Sequence, residues 1–428
     1  MSGDFLQLSL QIPVTIKPVT TQFFDQVRTF SDFGETSRQI VTEAQTAAGE
    51  PVCVPTFVNE FWTAKQRAAH SLHEISYRAC FKPQLPRFFI ERLTSPGDRV
   101  YDPFMGRGTT LLEAALLGRV PVGCDVNPLS AVLVEPRFSP PTLTEIEARL
   151  KEIDFADSDE WPEELLVFYH PDTLKEIVAL KKYLLRRQTD GTLDTIDKWI
   201  RMTAINRLTG HSPGFFSVYT LPPNQAVSVK SQIKINTDRN QTPIAKNIAK
   251  LILKKSKQLL ADCTPENFDT LKSVHRNALL LTQTCDRTLQ IPANSISLAV
   301  TSPPFLDVVD YAGDNWLRCW FAGIDAKAIK ITVPKKLDAW QAAMTDVFRE
   351  LHRILKPGGY VAFEVGEVRG GRVKLEQAVV PCGIEAGLTP ELILINDQVF
   401  TKTANCWGVD NNAKGTNTNR IVLLRKDA

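Results

Sequence analysis

Short apolar runs that end in an acidic or hydroxyl residue occur in two blocks of this chain. In the first block, Val100-Tyr101 runs into Asp102 and Val120–Cys124 runs into Asp125. Between them Thr109–Leu117 has helical spacing and stops at Gly118, which suits a C-cap. Strand, helix and strand in that order predict a β-α-β unit of a parallel, doubly wound sheet. A helix is expected just upstream over Pro86–Leu93, with its proline inside the first turn. In the second block Ala278–Thr284, Ser295–Val300, Tyr360–Val365, Glu391–Val399 and Asn419–Leu424 read as strands, and Leu337–Leu355 reads as a helix. From 137 to 272 the spacing turns helical, over Leu143–Ile153, Thr173–Arg187, Asp194–Leu208 and Thr242–Leu260. The expected organisation is an extension over 1–70, a first sheet half over 71–136, a mainly helical insertion over 137–272 and a second sheet half over 273–428.

The ends of the runs carry the candidate chemistry. Asp102-Pro103-Phe104-Met105-Gly106-Arg107-Gly108-Thr109-Thr110 is a glycine-bearing turn that opens a helix. Gly106 and Gly108 let the backbone turn sharply and approach a ligand, and the helix start presents amide groups to it. Asp125, with Asn127 just beyond, ends the next strand where an acid binds ribose hydroxyls. A third glycine at dinucleotide spacing and a G-K-[ST] triphosphate signature are both missing. A carboxylate at the mouth of this pocket, Asp102, would repel a pyrophosphate and attract an ammonium. The expected ligand is a nucleoside with an amino-acid tail, S-adenosylmethionine, with Asp286 placed to accept from the adenine amine.

Thr301-Ser302-Pro303-Pro304-Phe305 follows another strand. The paired prolines stiffen the loop and remove two amide donors. The Ser302 hydroxyl and the Pro303 carbonyl remain as acceptors for an exocyclic amine, and Phe305 offers a face for a flat base. Two acceptors can tilt an aromatic amine toward tetrahedral nitrogen and localise its lone pair, which helps the transition state more than the ground state.

These segments resemble the DNA amino-methyltransferases, the N4-cytosine and N6-adenine family. Asp-Pro-Phe-x-Gly-x-Gly-Thr-Thr resembles that family's cofactor motif and Ser302-Pro303-Pro304-Phe305 its catalytic tetrapeptide. The resemblance covers roughly 70–135 and 275–425. It implies a seven-stranded Rossmann-like methyltransferase sheet, direct in-line methyl transfer to a flipped base, and an alpha-like motif order in which the inserted segment is the target-recognition region. It also implies that Phe81 and Pro83 close over the methionine moiety. Ser at position 302 points to cytosine N4, with adenine N6 the alternative. Double-stranded DNA is the expected partner. A restriction-modification system with a cognate restriction endonuclease is the expected setting, and a solitary enzyme is the alternative. An RNA guanine-N2 methyltransferase and a non-catalytic DNA-binding protein on the same scaffold are two further readings.

Composition adds a local signal and several exclusions. The formal net charge of 428 residues is only +2, yet 230–257 holds Lys230, Lys234, Arg239, Lys246, Lys250, Lys254, Lys255 and Lys257 against the single acid Asp238. Phosphate contact and a solvated helix face both account for such a cluster. Arg207, His211 and Tyr219, in or beside the turn-rich stretch 210–223, join these lysines as candidate DNA contacts. The eight cysteines form no C-x-x-C pair, so no metal is expected. Pro381-Cys382 has the look of a cytosine-C5 nucleophile, but its place late in the chain favours a buried thiol. No apolar run reaches the roughly 20 residues of a membrane span, and the N-terminus lacks a secretory pattern. A cytoplasmic, nucleoid-associated protein is the expectation.

Overall fold

The structure is a computed structural model. It describes residues 14–15, 21–63, 69–77, 80–158, 160–221, 226–304, 311–329, 334, 336–368, 373–397 and 418–427. In chain order it begins with β1 (Val14–Thr15), α1 (Thr21–Arg28), β2 (Arg38–Gln45), β3 (Pro51–Asn59) and α2 (Gln84–Leu93). The cofactor-motif half follows as β4 (Arg99–Asp102), α3 (Thr109–Leu116), β5 (Val120–Asp125) and α4 (Leu129–Val134). The insertion holds α5 (Leu143–Glu152), α6 (Pro171–Thr189), α7 (Thr195–Ile205), α8 (Val229–Asp238), α9 (Ile248–Leu259) and α10 (Pro265–His275). Then come β6 (Leu279–Thr282), β7 (Ile296–Thr301), α11 (Tyr311–Ala322), α12 (Leu337–Ile354) and β8 (Leu355–Val365). The last elements are β9 (Glu367–Val368), β10 (Val373–Lys374), α13 (Leu375–Glu385), β11 (Thr389–Asp397) and β12 (Thr418–Arg425). Among the described residues no helix is long and apolar enough to cross a membrane.

One ten-stranded sheet organises the chain, in the order β1-β3-β11-β12-β8-β7-β4-β5-β6, with β2 paired to β3. Strands β6, β5, β4, β7 and β8 are parallel, and β12 runs antiparallel between β8 and β11. Alternation along each strand divides the faces. Tyr101, Val122, Ala299, Val361 and Phe363 pack with Trp340, Phe348 and Val379 of α12 and α13 on one side. Val100, Leu298, Val300 and Ala362 pack with Phe23, Phe88 and Phe89 of α1 and α2 on the other.

The structure adds two features to the sequence expectation. The region 1–70 is not merely an extension, because Pro51–Asn59 forms a strand parallel to β11 with Ile393 opposite Thr56. Its alternating burial gives it a core face, so the sheet grows from the seven strands expected to ten. The insertion is also not a separate body. Trp199, Phe168, Phe216, Ile248 and Ile252 from it share one continuous core with Leu111 and Leu112 of α3 and Leu317 of α11. Its boundary at 137–272 is therefore one of sequence pattern rather than of packing.

Strand order reverses between β4 and β7, which lie side by side with Tyr101 opposite Ala299. A crevice beyond the carboxyl ends of the strands forms at such a reversal. Both motif loops leave the sheet there, although the residues that join them are 199 positions apart in sequence.

Candidate active site

The glycine loop is held from four directions. The Met105 amide donates to the Cys124 carbonyl (3.0 Å) and the Gly106 amide to Asp125 Oδ2 (2.9 Å). The guanidinium of Arg137, fully buried, donates to the carbonyls of Leu133, Leu72 and Arg107. The Arg107 side chain itself reaches the Ile75 carbonyl at 2.9 Å. Gly106 (φ +46°) and Gly108 (φ +73°) both take the left-handed conformation. A Cβ on Gly108 would stand 2.4 Å from Val134 Cγ2, so α4 closes against the loop only because that position is glycine.

Asp102 does not stand at a pocket mouth. It is 2% exposed, and its Oδ1 accepts the Thr301 hydroxyl (2.6 Å) and the Phe104 amide (3.1 Å). The carboxyl thereby ties the cofactor loop to the strand that leads into the second motif. The cause of the difference is the sheet itself, since adjacent parallel strands leave no water between their last residues. Burial, more than anything else, pushes the Asp102 carboxyl up to about 7, against hydrogen bonds from Thr301, Phe104 and Thr110 that favour ionisation.

That shift has a definite sign. The folded value lies above the unfolded one, so the folded chain keeps a proton that the unfolded chain releases. The stability this group contributes is fully present below about pH 4 and is lost as pH rises through about 7. The span corresponds to about 4 kcal/mol at most. Asp102→Asn keeps an acceptor for Thr301 and removes the titration. Its urea-unfolding free energy is expected to lose that slope between about pH 4 and about pH 7. Parallel pH curves for both proteins would show that Asp102 is ionised throughout.

The other cofactor candidates fall on both sides of the loop. Asp125 ends β5, and burial raises its carboxyl against bonds from the Asn127 and Gly106 amides. Asp286 is exposed in the turn after β6, and Pro83 is buried at the start of α2 with Phe81 half-buried before it. Pro103 and Thr109 are buried, and Phe104 is half-buried. Asn127 is 3% exposed and its Oδ1 caps the Leu129 amide (2.9 Å). That bond fixes the turn into α4.

The second motif is pinned residue by residue. Thr301 bonds Asp102, and the Pro304 carbonyl accepts the Trp340 indole N–H at 3.0 Å. The Ser302 hydroxyl lies beside Glu364, a carboxylate on β8 that is 6% exposed and receives Asn419 Nδ2 (2.9 Å). Burial raises the Glu364 carboxyl, and the Ser302 and Asn419 hydrogen bonds oppose that rise. A hydroxyl that gives its proton to a carboxylate can offer only lone pairs to the space in front of it. Pro303 is buried, and Phe305 lies outside the described residues. Cys382 is buried inside α13, where its thiol is pushed up to about 11, chiefly by burial. It is no nucleophile at neutral pH.

The basic cluster divides. Lys230, Lys234, Lys250, Lys254 and Lys257 are exposed. Lys246 instead donates to the carbonyls of Phe215 (2.6 Å) and Ser217 (2.7 Å), holding the turn-rich stretch. Lys255 is 5% exposed, because the stripe Ile248, Ile252, Lys255, Ser256 and Leu259 faces inward on α9. Arg207 is 9% exposed and lies 4.0 Å over the Phe215 ring. Neither Lys255 nor Arg207 lies on the exposed lysine surface. His211 and Tyr219 are half-buried, and Arg239 stacks 3.8 Å over Tyr219.

Sequence reasoning missed Glu364 and Arg137. Glu364 had one signal, an acid at a core position of the apolar run Tyr360–Val365. Arg137 had none, since its role depends on carbonyls from three separate segments.

Residues 44–131 match the DNA methylase family profile. The chain is 26% identical over 301 residues to the Type II methyltransferase M.BsoBI of Geobacillus stearothermophilus, covering 64% of this chain and 57% of that protein. It is 35% identical over 71 residues to the Type II methyltransferase M.MjaII of Methanocaldococcus jannaschii, covering 17% and 13%. The chain thus spans little more than half the length of the first of these relatives. Among solved structures, a geranyl diphosphate C-methyltransferase from Streptomyces coelicolor A3(2) aligns over 80% of this chain and 75% of its own, at 9% identity and a TM-score of 0.32.

Proposed function

We propose that this chain, a member of the DNA amino-methyltransferase family of N4-cytosine and N6-adenine methylases, transfers a methyl group to the exocyclic N4 amine of a cytosine flipped out of double-stranded DNA. One observation carries the reading. Ser302 lies beside buried Glu364, a carboxylate that draws the hydroxyl proton and leaves the lone pairs as acceptors, on the strand end tied to the glycine loop through Asp102. A donor-bearing group such as an aromatic amine complements those lone pairs.

S-adenosylmethionine is the cofactor of this reading, and when bound it supplies an electrophilic methyl group. The residues present suit it. Gly106 and Gly108 clear the backbone for close approach, Asp125 ends β5 where a ribose diol is held, and exposed Asp286 follows β6, the parallel neighbour of β5, at the same carboxyl edge of the sheet. Ser302 fixes one amine hydrogen and orients the nitrogen lone pair. The Ser302–Glu364 contact gives the amine proton a direction in which to leave. The pinned prolines keep this geometry without reorganisation.

The insertion serves as the target-recognition region. Lys250, Lys254 and Lys257 fall at i, i+4 and i+7 on the exposed face of α9, a spacing that follows a phosphate backbone. Replacing all three with Glu is expected to weaken duplex binding and to lower its salt dependence by about 0.9 in the log–log slope for each phosphate that is no longer neutralised. An unchanged slope would leave them as a solvated face. A restriction-modification role, with a cognate endonuclease as partner, accords with the Type II methyltransferases that the chain resembles.

The test is nucleoside mass spectrometry of unmethylated DNA incubated with the protein and S-adenosylmethionine. N4-methyldeoxycytidine is the expected product. N6-methyldeoxyadenosine would overturn the choice of base and keep the mechanism. A lack of methylated deoxynucleoside on DNA of diverse sequence would overturn the reading.

A further inference from the structure

A cavity of about 570 Å³ lies against α13, but a larger one of about 670 Å³ opens between residues 69–77, residues 80–83, the glycine loop and the insertion. Among the described residues its wall carries four cations, Lys82, Arg107, Arg207 and Lys255, against one carboxylate, Glu74. The Lys255 ammonium is 3.6 Å from Glu74, whose side chain is 62% exposed and so screened by solvent. Arg207 is fixed by its stack on Phe215 and by a bond from its Nε to the Asn206 carbonyl (2.8 Å). Burial and then the neighbouring Arg207 push Lys255 down to about 8, and burial pushes Arg207 down to about 10. Burial and then Arg107 lower Lys82 as well.

Two imidazole nitrogens in the same wall, His70 Nε2 and His73 Nδ1, are buried with no hydrogen-bond partner. His70 Nδ1 accepts the Leu72 amide (3.2 Å), so in the neutral ring Nε2 bears the proton and is an unused donor. Like charges, buried as Lys255 and Arg207 are, cost free energy unless an anion joins them. The cations come from both sides of the crevice. Arg207 and Lys255 belong to the insertion, whereas Lys82 and Arg107 belong to the segments around the glycine loop.

We infer that this cavity is a receptor for one phosphodiester of the bound nucleic acid, gripped by Lys255 and Arg207. The inference rests on the DNA reading above. The cavity exceeds a phosphate group in size and leaves room for the flanking sugars. Because Arg107 is part of the glycine loop, a strand seated here passes that loop.

The test uses the full chain, a DNA duplex titrated across salt, and inorganic phosphate as a separate probe by thermal shift. Lys255→Met preserves the buried stem and removes the charge. It is expected to weaken duplex binding about tenfold at low salt, to lower the slope by about 0.9, and to abolish stabilisation by phosphate. Glu74→Gln, at an exposed position, is expected to act in the opposite direction and tighten both. Should Lys255→Met not fold, Arg207→Gln and Glu74→Gln decide the matter. Unchanged slope and phosphate response, or weaker binding by Glu74→Gln, would overturn the receptor. Loss of S-adenosylmethionine binding without loss of phosphate binding would also overturn it, by giving the cavity to the cofactor carboxylate. A wild-type chain that binds no duplex yet answers phosphate through Lys255 would sink the DNA reading and keep the anion receptor.

Discussion

Methyl transfer by Ser302→Ala is expected to fall by about a hundred- to a thousandfold, with S-adenosylmethionine affinity nearly unchanged. The reasoning starts from where the hydroxyl points. Glu364 stands beside Ser302 and draws its proton, which leaves the hydroxyl lone pairs for a donor beyond the loop. Alanine removes the acceptor and leaves the loop in place, because Thr301 remains tied to Asp102 and the Pro304 carbonyl to Trp340. Binding of the cofactor draws on the glycine loop, which the substitution does not touch. The effect therefore belongs in kcat, with little change in cofactor Kd.

Glu364→Gln separates orientation from charge. The amide retains a hydrogen bond to Ser302, so a smaller loss, about tenfold, is expected. Its pH profile is the sharper readout. Wild-type Glu364 has a carboxyl raised by burial. Once protonated, it can donate to Ser302 and occupy the lone pairs the amine needs. Activity is then expected to decline with falling pH at higher pH than an ordinary carboxylate would dictate, and Glu364→Gln is expected to lose that limb. If Ser302→Ala retains wild-type kcat, or if both proteins share one acid limb, Ser302 and Glu364 have only a structural role.

The sequence exposed the reaction loops and hid what supports them. Both motifs were legible because each combines conformationally special residues with the end of an apolar run, and such combinations are local. The adjacency of Asp102 and Thr301 was not legible, since a parallel pairing across 199 residues leaves no mark on either segment. That adjacency explains why Asp102 looked like an exposed ligand group and is a buried tie. The strand Pro51–Asn59 was obscured by Pro51 and Pro55, which argue against a central strand, although Val52, Val54, Thr56 and Val58 alternate as a strand should. Lys254 and Lys255 look alike in composition. Only the helical phase set by Ile248, Ile252 and Leu259 separates an exposed lysine from a buried one. That phase was available in the sequence and would have moved Lys255 off the surface.

Gly108→Ala is expected to cost about 2–5 kcal/mol of stability and to abolish measurable cofactor binding. Two separate penalties contribute. A φ of +73° is strained for any residue with a Cβ, at about 1–2 kcal/mol. The new methyl group would also stand 2.4 Å from Val134 Cγ2 and 3.0 Å from Cγ1, so α4 or the loop must shift. A shift of the loop strains the Gly106 amide bond to Asp125 and the Arg137 grip on the Arg107 carbonyl, the bonds that shape the ligand side. Gly106→Ala provides the contrast. Its φ is +46°, but its Cβ would meet nothing closer than Tyr77 Cε1 at 3.5 Å, so only the backbone penalty applies. The double variant Gly108→Ala with Val134→Ala distinguishes the two penalties. Removing the Val134 methyl groups is expected to restore the steric part, as a higher urea midpoint than Gly108→Ala alone and partial recovery of S-adenosylmethionine binding by calorimetry. The backbone part remains. A double variant no better than Gly108→Ala would mean that α4 does not close on the loop as described. A Gly108→Ala protein that binds cofactor normally would mean that the left-handed turn is not what shapes the site.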